Sequence, residues 1–78
     1  MSLPIQSEFQ VGRLSIKVAA AAMDLPAVNG WIGTWHIYRL PRRSGDIPIR
    51  YGDTDLVETA ELALGIAETT ARLIARSL

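Results

Sequence analysis

Four arginines around one polar segment are the residues whose chemistry best suits binding. Arg39, Arg42, Arg43 and Arg50 lie within or beside residues 41–46. Guanidinium groups contact phosphates and carboxylates, and aromatic rings stack on unpaired bases. This cluster predicts a surface for nucleic acid or an acidic protein partner, although a solvated loop would carry the same arginines. The aromatic residues that could join it, or could instead be core residues, are Trp31, Trp35, His36 and Tyr38.

Catalytic chemistry has few residues to draw on. His36 is the only histidine, and a nucleophilic triad would have to join it to a serine and a carboxylate. The spacing of Ser15 and Asp24 does not bring those groups together. The chain has no cysteine, and its scattered acids lack the spacing of metal ligands. We therefore predict a protein that is not an enzyme, with no cofactor and no metal site, in which His36 is structural.

Apolar periodicity predicts three strands followed by a helix. Alternation of apolar and polar residues is the signature of a half-buried strand, and the parity changes at Gly12, which predicts a bulge there. Pro26 and the Asn29-Gly30 pair predict a turn between two strands within residues 24–30. Pro48 places the last strand at an edge of the sheet. The predicted strands cover residues 9–20, 31–40 and 47–51.

Residues 55–78 predict one long helix with Thr54 as its N-cap. Its main apolar stripe is rich in alanine, so we expect it to approach the sheet closely, with Trp31 and Trp35 filling the space that the alanines leave. At 100° per residue, the stripe comprises Leu56, Ala60, Ala63, Leu64, Ala67, Ala71, Ile74 and Leu78.

A second apolar stripe lies almost opposite the first on the same helix. A domain of this length buries only about 60% of its unfolded surface and is marginal without help, yet 49% of its residues are hydrophobic. We therefore predict a homodimer, while noting that single exposed aliphatic residues are ordinary on monomers. The predicted dimer interface comprises Leu62, Gly65, Ile66, Thr69 and Leu73.

The order of elements and the sequence Gly52-Asp53-Thr54 before an alanine-rich helix resemble the HicB-like antitoxin domain. The matching helix alanines are Ala60, Ala63 and Ala67. The Pro-Asp-Leu-Pro-Gly type segment that this family carries before the turn is absent. The same element order is similar to short bacterial domains with no assigned role. The resemblance implies a small regulatory protein, with antitoxin-like activity as the narrower expectation.

Together these patterns predict one α+β domain over residues 9–78, preceded by a flexible tail at 1–8. We expect a three-stranded antiparallel sheet with the helix packed on one face. The net charge is zero, so general attraction to nucleic acid or to a membrane is not implied. The predicted function is a cytoplasmic, homodimeric protein-interaction or regulatory module, and the alternative is a nucleic-acid-binding or antitoxin-like protein.

Overall fold

A four-stranded antiparallel sheet with one helix across one face forms the domain. The computed structural model describes residues 5–41 and 43–78. The strands lie in the order β1-β2-β3-β4, so each pairs with its neighbour in the chain. The α+β class and the helix on one face are confirmed, but the sheet has four strands where the sequence predicted three. The elements are β1 (Ile5–Val11), β2 (Leu14–Leu25), β3 (Val28–Arg39), β4 (Arg50–Asp53) and α1 (Ala60–Arg76).

The additional strand comes from a hairpin at the place where a bulge was predicted. Gly12 has a φ of 59°, the left-handed conformation that suits the first central residue of a two-residue hairpin turn. β1 therefore folds back on β2, and its residues 5–8, predicted as part of a tail, pair with residues 17–20. The next hairpin turns at residues 26–27, which include Pro26 and lie within the predicted turn segment 24–30, whereas Asn29 and Gly30 of that segment belong to β3.

The helix begins later than predicted, because the Gly-Asp-Thr segment is used by the sheet. Thr54 accepts a hydrogen bond from the Gly33 amide through its hydroxyl oxygen, at 2.9 Å. Val57 then pairs with Trp31 through two backbone hydrogen bonds of 2.7 and 2.8 Å. The N-cap is Thr59, whose side chain accepts a bond from the Leu62 amide. Thr54 as N-cap was therefore wrong by five positions.

Alanines allow α1 to lie very close to the sheet. The main stripe is confirmed over its alanines, whereas its two predicted end residues are only partly covered, with Leu56 41% and Leu78 49% exposed. A Cβ added at Gly33 would run into the backbone carbonyl of Ala63. The helix backbone thus passes directly over β3. The buried residues of this interface include Ile16, Val18, Trp35, Ile37, Ala63, Ala67 and Ala71.

Trp35 fills the space beside the alanines, as predicted. Its side chain is 7% exposed, and a Cβ at Gly52 on β4 would come within 2.6 Å of its ring. Trp31 is half-buried and packs against the cluster of Ala20, Ala60 and Ala63. Both tryptophans therefore belong to the core side of the sheet. Over the described residues, the one helix is too short and too polar to cross a membrane.

Candidate interaction surfaces

The outer face of α1, directed away from the sheet, carries the residues predicted as a dimer interface. Three large aliphatic side chains are exposed there: Leu62 at 52%, Ile66 at 42% and Leu73 at 56%. Gly65 lies between them, and a Cβ added to it would meet no atom within 4 Å. Leu62, Gly65, Ile66 and Thr69 also line one shallow groove. The helix therefore brings all the predicted interface residues onto one strip that is exposed in the described part of the chain.

The spacing along the outer face is that of a helix-packing seam. Leu62, Ile66, Thr69, Leu73 and Arg76 follow one another at intervals of four and three residues. This alternation is the heptad period that keeps one stripe facing a partner helix along its length. The first half of the seam is apolar, with Leu62 and Ile66, and its last residue is the cation Arg76. Its geometry suits contact with another helix better than contact with a small ligand.

Charges along one flank of this seam change sign from the start of the helix to its end. Glu61 lies in the first turn and Arg76 in the last. Between them, Glu68 and Arg72 form an ion pair of 3.1 Å, and the Arg72 guanidinium lies 4.1 Å from the centre of the Phe9 ring. Arg72 is thus engaged within its own subunit. Glu61 and Arg76 remain as the charged groups at the two ends of the flank.

Arginines that are distant in sequence gather at one end of the fold. This end, which we call the basic end, contains the β1–β2 turn, the end of β3, the start of β4 and the end of α1. The Leu40 amide donates a hydrogen bond of 2.9 Å to the Arg13 carbonyl, joining the turn to the end of β3. Arg42 lies outside the described residues. The arginines of the basic end are Arg13, Arg39, Arg43, Arg50 and Arg76.

Acidic residues gather at the opposite end, which we call the acidic end. It contains the β2–β3 turn and the segment that leads into α1. Its acids are Asp24, Asp55, Glu58 and Glu61. Because the molecule extends 41 Å along its longest axis, beyond the Debye length of about 8 Å in physiological salt, the two groups of charges act separately.

A pocket of about 420 Å³ opens at the basic end, between the β1–β2 turn and the end of α1. Two arginines, Arg13 and Arg39, line it together with the backbone of Gly12. The remaining lining is apolar. It consists of Val11, Leu14, Leu40, Ala75 and Leu78. A hollow with aliphatic side chains and two arginines in its lining is suited to a ligand with an apolar body and a negative charge.

The predicted combination of arginines with aromatic rings is divided between the two faces of the sheet. Arg39 lies on the same face of β3 as Trp35 and Ile37, because alternate residues of a strand share a face, and Arg50 pairs with Ile37. Both arginines therefore lie on the helix-covered side of the sheet. The open face instead carries a row of rings. Its members, at centroid distances of 6.4 and 6.3 Å from His36, are Tyr38 and Tyr51.

His36 is half-buried between these two rings. Its neighbour on β2 is Lys17, and the open face at this level holds no second histidine. Within the described residues, no three or more groups of the metal-ligating types come together. The pairing of the strands thus places the His36 ring in contact with the rings of Tyr38 and Tyr51.

Two members of the basic end, Arg13 and Arg76, were missed by the sequence analysis. Arg13 lies within the predicted first strand as one of its polar residues, and Arg76 is close to the end of a helix, where a cation is ordinary. The only local signal was Gly12, which now makes the tight turn. If Gly12 had been interpreted as a hairpin turn, Arg13 would have been placed at the end of the sheet, beside the end of β3. Arg76 depends on the length and direction of the helix.

Comparison of the chain with protein-family models, with curated proteins and with solved structures gives no match. The resemblance to the HicB-like antitoxin domain therefore stays a prediction.

Proposed function

We propose that this protein is a non-enzymatic interaction module that works as a homodimer, with the outer face of α1 as the contact between two copies. The observation that carries the proposal is the row of exposed Leu62, Ile66 and Leu73 beside Gly65, where an added Cβ would meet no atom of the described residues within 4 Å. A glycine in a helix interior costs about 1 kcal/mol relative to alanine. A second helix that crosses closely at this position would explain why a glycine is present, because small residues let two helix backbones approach each other.

Charge complementarity favours a second copy of the chain as the occupant, with the two helices antiparallel. A two-fold axis perpendicular to both helices brings the same flank of each copy together, running in opposite directions. Glu61 then lies beside Arg76 of the second copy, and the reverse pair forms by symmetry. The acidic end of each subunit comes to rest alongside the basic end of the other. A parallel pair would instead place like ends together, which is less favourable.

The first test is a charge placed in the seam. We expect Leu62→Asp and Ile66→Asp each to convert the dimer into a monomer, because a carboxylate buried in an apolar contact without a partner is strongly unfavourable. Sedimentation equilibrium at micromolar concentration should give twice the 8.5 kDa chain mass for the wild type and a single chain mass for the variants. Ile47→Asp is the matched control, since Ile47 is 83% exposed and lies outside the helix. A monomeric wild type would reject the proposal. Dimers in both variants would show that the contact lies on the open face of the sheet and not on α1.

The second test separates the two roles of Gly65. In the Leu62→Asp background, where no dimer forms, Gly65→Ala should raise the free energy of unfolding by about 0.5–1 kcal/mol through helix propensity. In the wild-type background the same methyl group should hold the two helices apart and raise the dimer dissociation constant about tenfold. Urea unfolding measures the first effect and a sedimentation dilution series the second. A dimer that tightens with Gly65→Ala would show that the helices do not cross there.

A further inference from the structure

We propose that the pocket at the basic end binds a small apolar carboxylate, with Arg13 and Arg39 holding the carboxylate and the aliphatic lining holding the apolar body. This site is separate from the outer face of α1 and does not depend on the dimer. Its residues come from the β1–β2 turn, the end of β3 and the end of α1, so it forms only when these elements are folded together.

The charge argument begins with the two arginines. Both side chains are exposed at the rim of the pocket. Among the described residues, no carboxylate forms an ion pair with either of them. Asp46, the acid of the neighbouring loop, accepts a hydrogen bond of 2.6 Å from the Arg43 amide. The guanidinium groups of Arg13 and Arg39 are therefore available to an external anion, and guanidinium binds carboxylate with two parallel hydrogen bonds.

The lining argues for an apolar body attached to that anion. Val11, Leu14 and Leu40 form a surface without side-chain hydrogen-bonding groups, extended by Ala75 and Leu78 from α1. A hydrated inorganic anion would gain nothing from this surface, whereas burial of an alkyl or aryl group is favourable at about 25 cal/mol per Å². The volume of about 420 Å³ lies within the roughly 300–1,000 Å³ range of small-molecule sites. A medium-chain fatty acid has the required combination of groups.

The experiment uses decanoate as the probe, followed by amide NMR shifts of the ¹⁵N-labelled protein and by calorimetry. We expect saturable binding, with the largest shifts at the amides of Gly12 and Leu40. Decanol, which has the same chain without the charge, should bind at least tenfold more weakly. The double variant Arg13→Gln with Arg39→Gln should also lose at least tenfold in affinity. Arg43→Gln with Arg50→Gln removes the same charge from the basic end outside the pocket, so its affinity should stay within about twofold of wild type.

Several results would overturn the proposal. Shifts confined to Leu62, Ile66 and Leu73 would show that the probe only coats the outer face of α1. An equal loss of decanoate affinity in the two double variants would show that the anion is attracted to the basic end in general and not to the pocket. A single-stranded oligonucleotide that binds more tightly than decanoate, with affinity that depends on Arg43 and Arg50 and falls steeply with salt, would make the basic end a nucleic-acid site instead. None of these results bears on whether α1 mediates a dimer.

Discussion

Gly33→Ala should destabilise the protein by about 3 kcal/mol, and Gly33→Val should prevent it from folding. The added Cβ would collide with the backbone carbonyl of Ala63 and lie 3.2 Å from the Ala67 methyl group. A carbonyl within a helix cannot rotate away without breaking a hydrogen bond, so the whole helix must move off the sheet. Overpacking a core typically costs about 1–3 kcal/mol, and contact with backbone belongs at the upper end. Urea unfolding followed by circular dichroism measures the loss.

Ala21→Val is the control for this experiment. Ala21 is exposed on the open face of β2, so the added methyl groups meet no helix, and valine favours a strand. We expect its unfolding midpoint to stay at or slightly above that of the wild type. Equal midpoints for Gly33→Ala and the wild type would mean that α1 lies farther from β3 than the structure places it.

Trp35→Ala should lower the free energy of unfolding by about 3–5 kcal/mol, the usual effect of removing a buried aromatic ring. The total free energy of unfolding of a small domain is roughly 5–15 kcal/mol. The variant should therefore be largely unfolded or have a sharply lower unfolding midpoint. The ring is almost enclosed, at 7% exposure, and Gly52 on the adjacent strand leaves room for its edge. The alanines of α1 cannot fill the space that the ring would leave.

Tyr51→Ala is the matched comparison for Trp35→Ala. Tyr51 lies on the strand next to β3 but is 71% exposed on the open face, so we expect a change of less than about 1 kcal/mol. Tryptophan fluorescence adds a second measurement, because an enclosed ring emits at shorter wavelength and resists quenching by iodide. A stable Trp35→Ala protein, with readily quenched emission in the wild type, would contradict the placement of this side chain in the core.

The burial of Trp35 and of the helix alanines could be predicted because periodicity reports which face of an element is covered. The start of the helix could not. Thr54 and Asp55 have the residue types of a helix start, but the Thr54 hydroxyl is bonded to the Gly33 amide and Val57 pairs with Trp31. These partners are distant in sequence, so tertiary contacts override the local preference.

Residues 5–8 of β1, and its separation from β2, were missed for a related reason. Its residues 6–8 are all polar, so no apolar alternation marks this part of an edge strand. Gly12 could equally support a bulge or a tight turn, and only the pairing of residues 5–11 with β2 decides between them. The basic end illustrates the same limit for a site. Arg39, Arg43 and Arg50 are neighbours in the chain, whereas Arg13 and Arg76 join them only through the hairpin and the direction of α1.

The separation of arginines from acids along the 41 Å axis has a consequence for how the protein behaves in solution. A chain with zero net charge has no overall repulsion between molecules, and each subunit of this one carries its opposite charges at its two ends. In the proposed antiparallel dimer each end presents one basic and one acidic group, so at low ionic strength the basic group of one dimer attracts the acidic group of the next, which favours association of dimers. Added salt screens that attraction within about 10 Å at 0.1 M. The protein should therefore salt in, becoming more soluble as moderate salt is added near neutral pH.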